Sequence, residues 1–124
     1  MSKTILVVDD SPSIRQLLSF TLKERGYTVL EAGNGQEALA KLAGGKINLI
    51  VCDVNMPEMD GITFVKTVKT DAAYSDFRFT PVIMLTTETG EDRKIEGRDA
   101  GVKAWITKPF APDKLISAIE KLII

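Results

Sequence analysis

The sequence predicts an α/β fold: a five-stranded parallel sheet, doubly wound, with five helices covering its two faces. Two observations carry this. Short apolar runs rich in β-branched residues recur along the chain as "TILVVD", "TVLEA", "INLIVCD", "PVIML" and "AWIT", and each reads as a strand. Between them lie stretches whose apolar residues return with the period of a helix that buries one face. Strict alternation of the two implies parallel strands joined by right-handed crossovers.

The first strand ends at Asp9 and Asp10. The helix behind it has Ser11 as N-cap and Pro12 in its first turn, puts Ile14, Leu17, Leu18 and Leu22 on one face, and ends at Gly26. After the second strand, Asn34 with Glu37 three residues on has capping-box spacing, and that helix packs Ala38, Leu39 and Leu42 before stopping at Gly44-Gly45. The third strand runs into Asp53 where the chain must turn, then reaches Pro57 and Gly61, and the third helix carries Ile62, Val65 and Val68. The fourth strand leads into "ETGEDRKIEGRDAG", where Ile95 is the only large aliphatic residue and Gly90 and Gly97 interrupt. A helix there has a poor core-facing stripe and a costly interior glycine, so it is expected to be mobile. The fifth helix opens near Pro112 and shows Leu115, Ile116, Ile119 and Leu122.

At 124 residues, 44% hydrophobic and 27% charged, the chain suits one domain spanning residues 1–124. Its start, and its stop at the end of the fifth helix, suggest a complete protein. A net charge of −1 from 16 basic and 17 acidic residues lacks the basic excess that phosphate-backbone binding needs, so nucleic acid is not an expected partner. No apolar run approaches the about 18 residues of a membrane span, and "MSKTILVVDD" puts acids where a signal peptide needs its cleavage site. A soluble, cytoplasmic protein is expected. The lone Cys52 cannot form an internal disulfide, and the absence of His removes the usual zinc ligands and the usual general base. Chemistry must run on carboxylates, hydroxyls and lysine.

In the common strand order for such a chain, 2-1-3-4-5, the ligand crevice lies outside the carboxyl ends of strands 1 and 3. Asp9, Asp10 and Asp53 sit there. Converging carboxylates repel one another and need protons or a cation, and all-oxygen ligands favour Mg²⁺, which shares phosphate oxygens with a substrate. Lys108 after the fifth strand could neutralise a phosphoryl group, and Thr86 at the end of the fourth offers a hydroxyl. Either Asp9 or Asp10 alone would read as a helix cap. Acids, threonine and lysine supplied together by four strand ends point to phosphoryl chemistry. One rival is formal: "GNGQEA" fits G-x-G-x-x-A, with Asp53 at about the dinucleotide-site spacing of 20 residues. It follows the second strand and leaves Asp9-Asp10 unused, so Asn34 is better read as a cap.

The segments "VVDD", "CDVNMPEMDG", "MLTTE" and "ITKPF" resemble the signatures of the response-regulator receiver family across essentially the whole chain. "DDSPSIRQLL" resembles most the single-domain, CheY-like chemotaxis members. The flavodoxin-like order 2-1-3-4-5 is that family's own, so it is not an independent deduction. The resemblance implies that Asp53 is the nucleophile that accepts a phosphoryl group from a histidine kinase. It implies that Asp10, Asp53 and the Asn55 carbonyl ligate Mg²⁺, with Asp9 acting through water, and that Thr86 and Lys108 contact the phosphoryl oxygens. Asn55 and Glu88 would tune the lifetime of a short-lived acyl phosphate. Trp105 falls where the family carries an aromatic that turns inward when the threonine moves, although a half-buried edge aromatic would occupy the same position. The Lys108–Pro109 peptide would be cis.

No output domain is present in the sequence, so the message is expected to pass by noncovalent binding from a monomer. Its partners would be the kinase, an output protein such as a flagellar motor component, and a phosphatase. Chemotaxis is the first reading and a phosphorelay intermediate the second. The alternative of a different class is a haloacid-dehalogenase-type phosphatase, which would turn over external esters. Those enzymes carry D-x-D and a cap domain, whereas the residue two after Asp53 is Asn55 and no cap segment exists. The domain is therefore expected to promote only its own phosphorylation and dephosphorylation.

Overall fold

Side chains leave β1 (Thr4–Val8) alternately toward two different sets of helices. The computed structural model describes residues 2–124. Ile5 and Val7, with Leu49 and Val51 of β3 (Leu49–Cys52) and Ile83 and Leu85 of β4 (Val82–Thr86), form one buried layer. Over it lie Leu18 and Leu22 of α1 (Pro12–Glu24) and Leu115, Ile116 and Ile119 of α5 (Pro112–Leu122). On the opposite face Leu6, Val8, Ile50, Cys52, Val82 and Met84 meet α2 (Gly35–Leu42) and α3 (Gly61–Thr70) through Ala38, Leu42, Phe64, Val65 and Val68. The edges are β2 (Thr28–Ala32) and β5 (Ala104–Thr107), in an all-parallel sheet of order β2-β1-β3-β4-β5. This is the predicted doubly wound topology.

The local signals act as read. Ser11 Oγ accepts the Ile14 amide at 3.4 Å with Pro12 behind it, and Gly26 takes φ 89° just beyond the end of α1. Asn34 Oδ1 accepts the Glu37 amide at 2.8 Å. Asp60, which the sequence reading did not mark as a cap, starts α3 in the same way, its Oδ1 accepting the Thr63 amide at 2.8 Å. Three details differ from the reading. Leu17 falls off the buried stripe of α1 and is 49% exposed, because Ile14, Leu18 and Leu22 already fill the arc facing the sheet. The second helix ends at Leu42, ahead of the glycines. A 3₁₀ segment, Ala72–Phe77, capped by Asp71, bridges α3 to β4.

The helix after β4, α4 (Glu91–Ala100), has no side-chain cap and buries only Gly97, with Ile95 largely exposed. Its poor apolar stripe is as expected. Among the described residues, no helix is long and apolar enough to cross a membrane.

Candidate functional site

The ladder hydrogen bonds run past the strand ends, and this holds the polar residues in place. The Asp9 amide donates to Ala32 O at 3.1 Å and the Asp53 amide to Val8 O at 2.9 Å, while Lys108 N–H donates to Thr86 O at 2.8 Å. Residues that would otherwise belong to loose loops therefore keep the register of the sheet. Asp9, Asp53, Thr86 and Lys108 share one rim because each directly follows or ends a parallel strand.

There the Lys108 ammonium bridges two buried carboxylates, donating to Asp9 Oδ2 at 2.6 Å and to Asp53 Oδ2 at 3.0 Å. The second oxygens are held as well. Asp9 Oδ1 accepts the Ser11 amide at 2.9 Å, and Asp53 Oδ1 accepts the Asn55 amide at 3.2 Å. Burial alone would push the Lys108 pKa down, but hydrogen bonds to Asp9 and Asp53, reinforced by their charges, outweigh it and raise it. Asp10 lies at the exposed mouth, and its carboxylate takes no hydrogen bond or ion pair among the described residues. One carboxylate oxygen from each of Asp9, Asp10 and Asp53 lies within 4.8 Å of the others. An all-oxygen set of this span suits a hard divalent cation such as Mg²⁺.

Thr86 is fully buried, and its Oγ1 accepts the Glu88 amide at 3.1 Å. The Glu88 carbonyl in turn accepts the Trp105 indole N–H at 3.0 Å. Thr86 and Trp105 are thus joined through one residue of the β4–α4 loop. The Asn55 side chain is exposed and Glu88 half-buried, both on loops at this rim. The Lys108–Pro109 peptide is cis.

Gly61 has a packing role that sequence reading missed. A Cβ there would collide with the main-chain oxygen of Asp53, while the Gly61 amide donates to Val54 O at 2.8 Å. Only glycine lets the start of α3 press against the backbone of Asp53. The "DG" pair after proline was the available signal. In the loop between them Glu58 takes φ 69°, and the Met59 amide closes on Pro57 O at 2.8 Å, a left-handed γ-turn that few non-glycine residues adopt. Arg15 was also missed. It donates to Asp9 O, and no local motif announces that contact.

The decoys resolve. Gly35 is buried beneath Met59, whose Sδ would lie 2.7 Å from a Cβ there, so "GNGQEA" packs a helix start under a side chain. Cys52 is buried on the α2–α3 face, and burial, followed by the charges of Asp53 and Asp9, pushes its thiol pKa well up. It is core.

A doubly wound sheet with a lysine tied to two strand-end aspartates is the frame of a family of signalling domains. Residues 5–120 match the response regulator receiver domain, and the chain belongs to that family. Within it, the chain is 43% identical over 121 residues to the chemotaxis protein CheY1 of Helicobacter pylori, covering 96% of this chain and 95% of that one. It is 38% identical over 123 residues to the phosphate regulon transcriptional regulatory protein PhoB of Pseudomonas aeruginosa, covering 99% of this chain but 52% of PhoB. It thus spans about half of that regulator and nearly all of the chemotaxis protein. The solved structure of the Vibrio cholerae chemotaxis response regulator CheY4 superposes with a TM-score of 0.89 at 44% identity, over 98% of this chain and 99% of that one.

Proposed function

We propose that this protein is a response regulator that accepts a phosphoryl group on Asp53 from the phosphohistidine of a kinase and signals, in chemotaxis, by binding a partner in its phosphorylated form. The observation that carries the reading is the Lys108 ammonium held between Asp9 and Asp53. It sets a positive charge 3.0 Å from a buried Asp53 oxygen, and it is positioned to follow the charge as it moves onto a phosphoryl group.

In the proposed step an Asp53 carboxylate oxygen attacks phosphorus, the P–N bond breaks, and the imidazole leaves with the bonding electron pair. An acyl phosphate results. Asp10, Asp53 and the Asn55 carbonyl would hold Mg²⁺, with Asp9 acting through water, and the cation would supply charge neutralisation at the phosphoryl oxygens. Thr86 Oγ1 accepts from Glu88 and still has its own proton to give, so it can donate to a phosphoryl oxygen while Lys108 pairs with another. Asn55 and Glu88 flank the rim where water would approach, which suits a short-lived acyl phosphate. The high coverage of a chemotaxis relative supports the chemotaxis reading. In that reading the partners would be a kinase and a motor component, in the cytoplasm.

The test is to incubate the protein with Mg²⁺ and acetyl phosphate and locate the added mass. One phosphoryl group on Asp53, lost in Asp53→Asn, is expected. A wild-type label on another residue overturns the assignment. An acyl phosphate that persists for hours in Mg²⁺ would instead favour a phosphorelay store.

A further inference from the structure

We propose that Arg15 is a positioning residue for the cation site, acting on Asp10 through the Asp9 carbonyl. The inference rests on the Mg²⁺ reading above and concerns what aims its one unanchored ligand. Asp9 and Asp53 each have both carboxylate oxygens held. Asp10 has no partner for its side chain among the described residues, so its direction depends on its backbone alone.

That backbone is gripped. Arg15 Nη1 donates to the Asp9 carbonyl at 2.6 Å, a short charge-assisted contact. The Asp9 carbonyl and the Asp10 amide belong to one planar peptide, so holding the oxygen sets the plane from which the Asp10 side chain projects. The guanidinium is fixed from its other side: Nε lies 3.5 Å from Glu31 Oε1 on β2, and a Cβ on Gly33 would come within 3.3 Å of Nη1. Arg15 thus spans from α1 to the edge strand and clamps the turn between them.

Charge and geometry make opposite predictions here. A cation near a cation site weakens binding, so if Arg15 acted by charge its neutralisation would tighten Mg²⁺. If it positions Asp10, neutralisation loosens Mg²⁺, and outer contacts of this kind are worth about tenfold or more in metal affinity.

The experiment is calorimetric titration of the full chain with MgCl₂ for wild type, Arg15→Met, Arg15→Lys and Asp10→Asn, with the melting temperature of each in chelator. Arg15→Met keeps the apolar stem and is expected to weaken Mg²⁺ about tenfold. Arg15→Lys, which can still reach the carbonyl but lacks the fork to Glu31, is expected to fall between the two. Unchanged or tighter binding in Arg15→Met, with binding lost in Asp10→Asn, overturns the role of Arg15 and leaves the cation site standing. Wild-type binding in Asp10→Asn overturns the cation site and this inference with it. Should Arg15→Met fail to fold, Arg15→Lys decides: affinity equal to wild type overturns the proposal.

Discussion

Gly97 is the seat of Trp105. A Cβ on Gly97 would stand 2.9 Å from Cζ3 of the indole and 3.4 Å from Cε3, so the ring lies flush against the backbone of α4 where a side chain would otherwise project. The glycine that weakens this helix is the one that lets the tryptophan pack against it.

Gly97→Ala should therefore fail to deliver the about 1 kcal/mol that the exchange gives in a free helix interior. The methyl group must push the ring or the helix aside. A red-shifted Trp105 emission with no gain in urea stability is the expected result. A gain of that size with unchanged emission would show that α4 shifts freely.

The two hydrogen bonds joining Thr86 to Trp105 through Glu88 give the proposed switch a path. Drawing the Thr86 hydroxyl toward a phosphoryl group would pull on the Glu88 amide and free the indole to turn inward. Beryllofluoride, a mimic of the phosphoryl group, should shift Trp105 emission in wild type. Thr86→Ala should bind the mimic with a much reduced shift. Unchanged wild-type emission, with Asp53 demonstrably occupied, would make Trp105 ordinary edge packing.

Asp60 links the start of α3 to α4 through Arg93, at 3.1 Å. Partial burial pushes its carboxyl up, but the Thr63 amide and the Arg93 guanidinium outweigh this and hold it below the ordinary aspartate value. A lowered folded pKa contributes stability that is full above the unfolded value of about 3.9 and lost as pH falls through the folded one. Asp60→Asn keeps a good cap and removes only the charge. Wild type should exceed it by less than about 1 kcal/mol at neutral pH, since both side chains are partly solvated, and by nothing in strong acid. A gap that persists in acid would assign the effect to capping.

The same helix is held from α3 by Lys66–Glu96 at 3.0 Å as well as by Arg93–Asp60, with almost no apolar burial. Charge links at the surface weaken with salt, and buried apolar contacts do not. Amide exchange over residues 91–100 should rise in concentrated NaCl while β1 and β3 stay protected. Protection of α4 equal to that of the central strands would contradict the expected mobility.

Lys69 donates to two main-chain oxygens, Arg78 at 2.8 Å and Thr80 at 2.6 Å, where the chain enters β4. Burial, followed by the charge of Lys103, lowers its pKa. In Lys69→Met the Arg78 carbonyl can turn to water, but Thr80 is buried and its carbonyl cannot. A loss of about 1–3 kcal/mol, with an unchanged urea slope, is expected. A neutral result would mean that water replaces the ammonium.

What could be read from the chain follows from which forces are local. Strands β1, β3 and β4 are covered on both faces, so their composition alone betrays them. Asp9, Asp53, Thr86 and Lys108 could be placed together because strand order and direction put all parallel strand ends on one rim. The 3₁₀ segment, by contrast, has neither a period nor a run to announce it. The bridging of Asp9 and Asp53 by Lys108, and the grip of Arg15 on Asp9, depend on where long side chains reach in three dimensions. Residue spacing carries no record of that.

On the rim away from the acids, Asn48 accepts the Thr4 amide at 2.9 Å through its side-chain oxygen and donates to the Ile124 carbonyl at 2.8 Å. One amide group staples the beginning of the first strand to the last residue. A fluorophore, affinity handle or surface tether attached beside Thr4 or at Ile124 would thus emerge from the same side of the molecule, with the length of the strands between it and the carboxylates. The protein can be immobilised for kinetic work without screening the face that would meet a phosphodonor.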